Sequence, residues 1–190
     1  MQRTATYIAL SLSFCVATQP ADSRPGKDDS NALPPFGHTF FCLRYPRDCA
    51  RTDSTLTLPT SIAGRWRRIN RVNSSVNTAI APRADPDPIG SHWLIAPLAG
   101  DCNDYAVTKR HELLGAGWPS SSLLLAEVTL VSTGEHHLVL IVKTAEADWV
   151  LDNRRREILR LAATRNEYAW DRIESTNNPR FWTNSFAGLS

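Results

Sequence analysis

The strongest constraint on the fold is a helix pattern followed closely by three strand patterns. Residues 102–115 fit a helix that ends at the glycines 115 and 117. Residues 123–132, 136–143 and 148–153 contain the strand formers Leu, Val, Ile and Trp, and only short turns separate them. Because short turns join strands that run in opposite directions, we expect an antiparallel sheet with the helix packed on it, an α+β fold.

A second helix is predicted upstream from an apolar stripe. Apolar side chains recur there at steps of three and four and stop before a proline at position 82; they are Ile62, Trp66, Ile69, Val72, Val76 and Ile80. Asn70, Asn73 and Asn77 lie on or beside the stripe. The pattern does not choose between capping, solvent exposure and a site role for these asparagines.

A cysteine opens the helix at 102–115. Asp101 fits the N-cap position, where its carboxylate would accept a hydrogen bond from the backbone amide of Asp104. Cys102 then occupies the first helical position, where the helix dipole favours a thiolate. The carboxylates of Asp101 and Asp104 oppose that charge, so activation of the thiol requires a cation such as an imidazolium or a bound metal.

Two adjacent histidines and a later aspartate complete the candidate site. His136 and His137 open the second strand, and because side chains alternate, only one of them is expected to face a given site. Asp152 lies at the end of the third strand. A two-residue turn would place it opposite His137, and a longer loop would place the two diagonally. Together with Cys102, these residues supply the parts of a thiol nucleophile.

The first 21 residues have the pattern of an export signal. Arg3 precedes the apolar run 7–17, and small residues follow it. This run is shorter than the roughly 18 to 20 residues that span a bilayer, and no later segment reaches that length. We therefore predict a signal peptide at 1–21, a polar tether at 22–35 and one domain at 36–190, in a periplasmic or secreted protein without a membrane span.

Three cysteines remain once the predicted signal is removed. Cys42 and Cys49 are the natural pair for a disulfide in an oxidising compartment, provided that a turn brings them together. Such a bridge would contribute about 2 to 3 kcal/mol in the chain-entropy model, and two buried free thiols are the alternative. Cys102 is left as an unpaired thiol.

The charge balance argues against a nucleic-acid partner. The 190 residues include 21 Lys and Arg against 19 Asp and Glu, a formal net charge of +2, and the longest basic cluster is only three residues, Arg154 to Arg156. Hydrophobic residues make up 42% and charged residues 21% of the chain. These proportions are typical of one globular domain.

Five segments together resemble the bacterial transglutaminase-like cysteine peptidases, a family that includes periplasmic proteases releasing large biofilm adhesins. They lie between about Phe36 and Trp182: Phe41-Cys42 to Cys49-Ala50, the helix with Asn73 and Asn77, G-D-C-N-D-Y-A at 100–106, H-L-V-L at 137–140 and V-L-D-N at 150–153.

The resemblance implies a papain-like, transglutaminase-like core with three site residues. Cys102 would be the nucleophile, His137 the acid/base and Asp152 its orienter. The family pattern also selects His137 over His136, and Asp152 over Asp148.

Two positions depart from the family pattern. Asn103 follows the cysteine where many relatives have Glu, and Ser91 lies two residues before the tryptophan where many have Asp. In the adhesin-releasing members, acidic residues that flank the nucleophile are associated with calcium. Asp101 and Asp104 remain as candidate calcium ligands, but the missing carboxylate removes a hard anionic ligand, so we expect no required cofactor.

The function implied by the resemblance is that of an exported cysteine endopeptidase, which would cleave a protein or peptide substrate through a thioester acyl enzyme. An acyl transferase or amidase would use the same triad. A non-catalytic peptide-binding module on the same scaffold is a further alternative. Zinc binding through Cys102 and one of the two histidines is disfavoured, because the chain has no close ligand pair such as C-x-x-C.

Overall fold

The computed structural model describes residues 31–53, 61–84, 92–186 and 188–189. The predicted signal at 1–21 lies outside these ranges, as do residues 22–30 of the predicted tether. Asn31 and Ala32 lie within the predicted tether and pair as a short strand with Thr183 and Trp182. In the part of the chain that the structure describes, no helix is long and apolar enough to cross a membrane.

The described residues form helices and strands in a mixed order. The helices are α1 (Phe36–Arg44), α2 (Ile62–Ala79) and α3 (Cys102–Gly115). The strands are β1 (Asn31–Ala32), β2 (Ala81–Pro82), β3 (Ala99–Gly100), β4 (Leu123–Leu130), β5 (His136–Lys143), β6 (Asp148–Leu151), β7 (Leu159–Arg160), β8 (Tyr168–Glu174) and β9 (Trp182–Thr183).

Seven of these strands form one antiparallel sheet in the order β1-β9-β8-β4-β5-β6-β7. The remaining two, β2 and β3, pair in parallel. Helix α3 packs on β5 and β4, and α2 packs on α3. The predicted α+β fold, with the cysteine-bearing helix on an antiparallel sheet, is therefore confirmed.

Helix α2 follows the predicted apolar stripe. Its start is capped by Ser61, whose hydroxyl accepts a hydrogen bond from the backbone amide of Gly64 at 3.1 Å. The side chains of Ile69, Val72 and Val76 are buried on one face. After Ala79 the backbone becomes extended and enters β2, as the proline at position 82 predicts.

The central strands β4 and β5 are buried on both faces. On one face, Leu138 and Leu140 of β5 pack with the apolar sides of the three helices. On the other face, Val139 and Ile141 pack with side chains from β6, β8 and the C-terminal segment. Such two-sided burial explains the nearly uninterrupted apolar runs of both strands, and it means that alternation alone does not separate buried from exposed positions.

The three predicted strands match the structure closely, although the first and third each end two residues earlier than predicted. In the β5–β6 hairpin, Leu140 pairs with Leu151 and Lys143 pairs with Asp148, so residues 144–147 form a four-residue connection. Continuing this register, the residue after Leu151 lies opposite Val139. Asp152 is therefore diagonal to His137, as expected for the longer loop.

The predicted disulfide is confirmed. Cys42 in α1 is bonded to Cys49, and their Cα atoms are 5.5 Å apart. A turn after Arg44 ends α1 and brings the chain back, which meets the geometric condition for pairing. Both cysteines are buried, and Cys102 is the free cysteine of the described residues.

Candidate active site

Cys102 occupies the first position of α3, and the predicted N-cap at Asp101 is confirmed. The carboxylate of Asp101 accepts from the backbone amides of Asn103 at 2.9 Å and Asp104 at 3.4 Å, and the Asp104 carboxylate accepts from the amide of Asp101 at 3.1 Å. This is a reciprocal capping box. Gly100 makes it possible, because a Cβ there would overlap the Asp104 carboxylate.

The environment of Cys102 raises the pKa of its thiol. Burial, followed by the negative charges of Asp101 and Asp152, raises the pKa of Cys102 from 9.0 to about 12. Backbone amides at Leu138 and Asn103 lower the pKa but do not compensate. The N-terminal position on the helix is therefore not enough to make a thiolate, and a base must take the proton.

His137 and Asp152 form a buried hydrogen-bonded pair. The distance between His137 Nε2 and Asp152 Oδ1 is 2.8 Å, and both side chains are almost completely enclosed. This contact joins the start of β5 to the residue that follows β6. With Nε2 committed to the carboxylate, Nδ1 is the ring nitrogen left for proton exchange in the pocket.

Asp152 is held as a carboxylate by several donors. Its Oδ1 also accepts from the backbone amide of Arg154 at 3.0 Å, and its Oδ2 accepts from the Tyr168 hydroxyl at 2.5 Å. Burial would raise the pKa of Asp152, but the hydrogen bond and charge of His137, together with Tyr168 and Arg154, hold that pKa well below its usual range. The carboxylate is therefore ionised at neutral pH.

Tyr168 was not identified from the sequence. It lies in β8, where an aromatic side chain has the pattern of an ordinary core residue, and it does pack in the core. Burial and its hydrogen bond to Asp152 raise the pKa of the Tyr168 hydroxyl, so the group stays a donor. No sequence signal distinguishes this tyrosine from a purely structural one.

A cavity of about 330 Å³ opens beside the cysteine. It is lined by Cys102, His136, His137 and Trp93, with Asp101 at the same mouth. Both adjacent histidines contribute to this lining, so the cavity alone does not choose between them. They still differ in environment: His136 is exposed, whereas His137 is buried and paired with Asp152.

The two candidate calcium ligands, Asp101 and Asp104, are both engaged by protein donors. Asp101 binds the amides of the helix start, and its Oδ2 also accepts from the side chain of Asn103 at 3.1 Å. Asp104 is buried and accepts from the amides of Leu94 at 2.7 Å and Asp101 at 3.1 Å. Calcium requires six to eight oxygen ligands, and here the carboxylates are engaged by protein donors while Asn103 contributes no charge.

Similar solved structures share this fold. LapG of Legionella pneumophila is 24% identical with a TM-score of 0.50, and the match covers 62% of this chain and 66% of that chain. A calcium-bound LapG is 22% identical with a TM-score of 0.53, covering 70% of this chain and 77% of the other. An EGTA-treated LapG is 23% identical with a TM-score of 0.50, covering 70% and 73%.

No curated protein matches the sequence of this chain. The model of the family described as bacterial transglutaminase-like cysteine proteinase matches residues 28–187. That range includes both members of the buried His137–Asp152 pair and the cysteine beside them. By this match, which extends over most of its length, the chain belongs to the bacterial transglutaminase-like cysteine proteinases.

Proposed function

We propose that this protein is an exported cysteine endopeptidase in which Cys102 is the nucleophile, His137 the acid/base and Asp152 the residue that orients the imidazole. The observation that carries the proposal is the 2.8 Å contact between His137 Nε2 and Asp152 Oδ1, at the wall of a cavity that Cys102 also lines. The thiol of Cys102 and the hydrogen-bonded pair of imidazole and carboxylate, which lie around one space, support these three roles.

Acylation begins from a neutral thiol. As the substrate carbonyl approaches Cys102, Nδ1 of His137 takes the thiol proton, and sulfur attacks the carbonyl carbon. The ionised carboxylate of Asp152 stabilises the imidazolium formed in this step. The backbone amide of Cys102 lies in the first turn of α3, where the helix offers no internal acceptor, and it donates to the developing oxyanion.

Breakdown of the intermediate uses the same groups in reverse. The imidazolium of His137 gives its proton to the leaving amine, and a thioester to Cys102 remains. Water, deprotonated by the neutral imidazole, then attacks the thioester and releases the carboxylic acid product. Each turnover returns Cys102 to a thiol and His137 to a neutral imidazole.

The cavity suits an extended peptide more than a large rigid ligand. Its volume of about 330 Å³ accommodates a few small side chains, and Trp93 forms an apolar wall near the nucleophile. Protein substrates are the class that the family name implies. The Cys42–Cys49 disulfide supports an oxidising compartment, so we place the enzyme in the periplasm or outside the cell.

Calcium is not part of the proposed reaction. LapG has been solved in a calcium-bound form, but here the carboxylates of Asp101 and Asp104 serve the capping box of α3. The start of the helix is therefore held by protein groups, and Cys102 is positioned without a cation.

Product analysis in the presence of an added amine tests the reaction type. A quenched peptide library is incubated with the protein, with and without 50-fold excess of a small primary amine, and the products are identified by mass spectrometry. The proposal predicts free carboxyl termini in both samples. Mainly amidated products would make the protein an acyl transferase, and no products with any peptide or protein would contradict an enzymatic role.

A further inference from the structure

Three buried polar atoms lie in the layer where α2 and α3 pack together. They are Lys109 Nζ, Asn73 Oδ1 and Asn77 Oδ1, and none has a hydrogen-bond partner among the described residues. Lys109 is completely buried, and Asn73 is 1% exposed. Leaving such groups unsatisfied lowers stability, so apolar residues would serve a purely structural core better.

The two asparagines hold the turn that follows Asp152. Nδ2 of Asn77 donates to the carbonyl oxygens of Asp152 and Arg155, each at 3.0 Å, and Nδ2 of Asn73 donates to the carbonyl oxygen of Arg156 at 3.1 Å. Because the two asparagines are four residues apart, they project from the same face of α2. Their amides therefore fix the backbone of residues 152–156 from one side.

Lys109 lies on α3, the helix that packs against α2. The Tyr105 hydroxyl of α3 donates to the Ile80 carbonyl at the end of α2 at 2.6 Å, and Lys109 is one turn further along α3. Burial lowers the pKa of Lys109 to about 7, while the negative charge of Asp152 raises it. The Lys109 amine thus lies within the electrostatic reach of the carboxylate whose backbone Asn77 holds.

We propose that Lys109, Asn73 and Asn77 form a buried polar support that positions Asp152, and through it His137, for proton transfer. The amide nitrogens of Asn73 and Asn77 fix the turn that carries the carboxylate, and the Lys109 amine interacts electrostatically with Asp152. These are positioning residues, because they touch neither the thiol nor the cavity beside it. The inference rests on the proposed function, in which His137 exchanges a proton with Cys102.

The first test compares peptide hydrolysis by the wild type, Lys109→Met and Asn77→Leu. Asn70→Leu is the matched control, since Asn70 lies on the same helix but donates to the Trp66 carbonyl of its own turn at 3.0 Å. We expect kcat to fall about 10- to 100-fold in the two test variants with KM changed less than about 3-fold, because a misplacement of about 1 Å can cost about 100-fold in rate. Asn70→Leu should keep the wild-type kcat.

Thermal unfolding separates positioning from stability. Lys109→Met removes a buried amine and keeps the length of the side chain, so its Tm should equal or exceed that of the wild type. If Tm is equal or higher, loss of folded protein cannot explain a lower kcat. If Lys109→Met fails to fold, kcat and Tm are compared between the wild type, Asn77→Leu and Asn73→Leu.

A nuclear magnetic resonance measurement is independent of any substrate. In ¹⁵N-labelled wild type, the His137 Nε2 proton hydrogen-bonded to Asp152 should give a resolved downfield signal, which is assigned by its loss in His137→Gln. The signal should shift or broaden in Lys109→Met and Asn77→Leu and stay unchanged in Asn70→Leu. Absence of peptidase activity in the wild type would refute the proposed function but leave this measurement intact.

Two results would overturn the support. One is a wild-type kcat in folded Lys109→Met and Asn77→Leu. The other is an unchanged His137 signal in both variants, which would show that the turn keeps Asp152 in place without these residues. A kcat loss that only follows the unfolded fraction of each sample counts against the proposal as well.

Discussion

Among the described residues, two buried histidine–carboxylate pairs each lie near a cysteine, and they differ in what surrounds the imidazole. His137 contacts Asp152 at 2.8 Å and shares a cavity with Cys102. His38 contacts Glu174 at 3.0 Å, and its Nε2 is 3.6 Å from the sulfur of Cys42. By residue types alone, both regions offer a thiol, an imidazole and an acid.

The pair formed by His38 and Glu174 is buried, and both side chains have further hydrogen-bond or ion-pair partners. His38 Nδ1 accepts from the indole of Trp182 at 3.3 Å, and Glu174 also binds Arg110 at 3.3 Å and the amide of Leu125 at 2.9 Å. His38 is 1% exposed, and the sulfur of Cys42 is committed to a disulfide. The two regions therefore differ in three respects: the region around His38 has a disulfide instead of a free thiol, its second imidazole nitrogen is engaged by Trp182, and its histidine and cysteines do not line the cavity beside Cys102.

The same region holds a group of potential metal ligands. Among the described residues, His38, Cys42 and Cys49 are the three ligand-type side chains that lie close enough together to share an ion. The disulfide removes both thiolates from that set. These three side chains therefore do not offer the thiolate ligands that a zinc site would need.

Replacing the cysteines of the two regions should give the largest difference in activity. Cys102→Ala removes the nucleophile, so peptide hydrolysis should fall by about 10⁴-fold or more. The double variant Cys42→Ala, Cys49→Ala should retain most of the kcat of its folded fraction. Initial rates, corrected for folded protein by circular dichroism, measure both; residual activity above 1% in Cys102→Ala would break the contrast.

Replacing the histidines of the two regions should give the second-largest difference in kcat. We expect His137→Ala to lower kcat by about 10³- to 10⁴-fold, because the variant loses both general acid–base catalysis and the order of the triad. His38→Gln should mainly lower the free energy of unfolding, because Glu174 then loses a buried partner. His136→Ala is the matched neighbour and should keep most activity. Equal kcat losses in folded His136 and His137 variants would reverse the assignment.

Reducing the disulfide should have a smaller, purely structural effect. The loop closed by Cys42 and Cys49 predicts a loss of about 2 to 3 kcal/mol in the free energy of unfolding. Urea denaturation of the wild type and of the double alanine variant measures it. A fall in kcat at denaturant concentrations where both proteins are folded would show that this region acts on the reaction.

The alkylation of Cys102 should depend on pH in a way that reveals its environment. Because burial and Asp101 raise the pKa of this thiol to about 12, the thiolate fraction increases tenfold per pH unit throughout the neutral and mildly alkaline range. The rate with iodoacetamide should therefore rise steadily from pH 7 to 9.5. A plateau beginning near pH 6 would indicate a preformed thiolate–imidazolium pair.

Removal of calcium should have the smallest effect. Dialysis against EGTA, followed by addition of 1 mM calcium chloride, should leave kcat and Tm unchanged, because protein donors already engage the carboxylates of Asp101 and Asp104. Asp104→Asn tests the same capping box without a metal. A reversible loss of activity in EGTA would contradict the poor fit of these ligands.

Features set by local chemistry could be predicted from the sequence. The start of α3, its cap at Asp101 and the strand at 136–143 follow from capping residues and apolar patterns. The Cys42–Cys49 bridge was predicted from cysteine number and spacing. Selecting His137 over His136 required the family pattern, since both line the cavity.

Features that depend on distant pairings could not be predicted. The contact between His38 and Glu174 joins residues 136 positions apart, and the Tyr168 hydroxyl reaches Asp152 from a strand with an ordinary core pattern. The register of β6 depended on a turn in which Thr144 binds the Ala147 carbonyl, which apolar periodicity does not encode. The hydrogen bonds of Asn73 and Asn77 depend on the position of the turn after Asp152 beside α2, which the sequence pattern does not encode.

The most direct test of the account is covalent labelling by a peptide that carries a thiol-reactive electrophile, followed by peptide mapping at neutral pH. The wild type should form one adduct, on Cys102, and His137→Ala should form it at least about 100-fold more slowly. His38→Gln should be labelled at nearly the wild-type rate. Labelling at another residue, or equal rates in the wild type and His137→Ala, would contradict the assignment of Cys102 and His137 as the reacting pair.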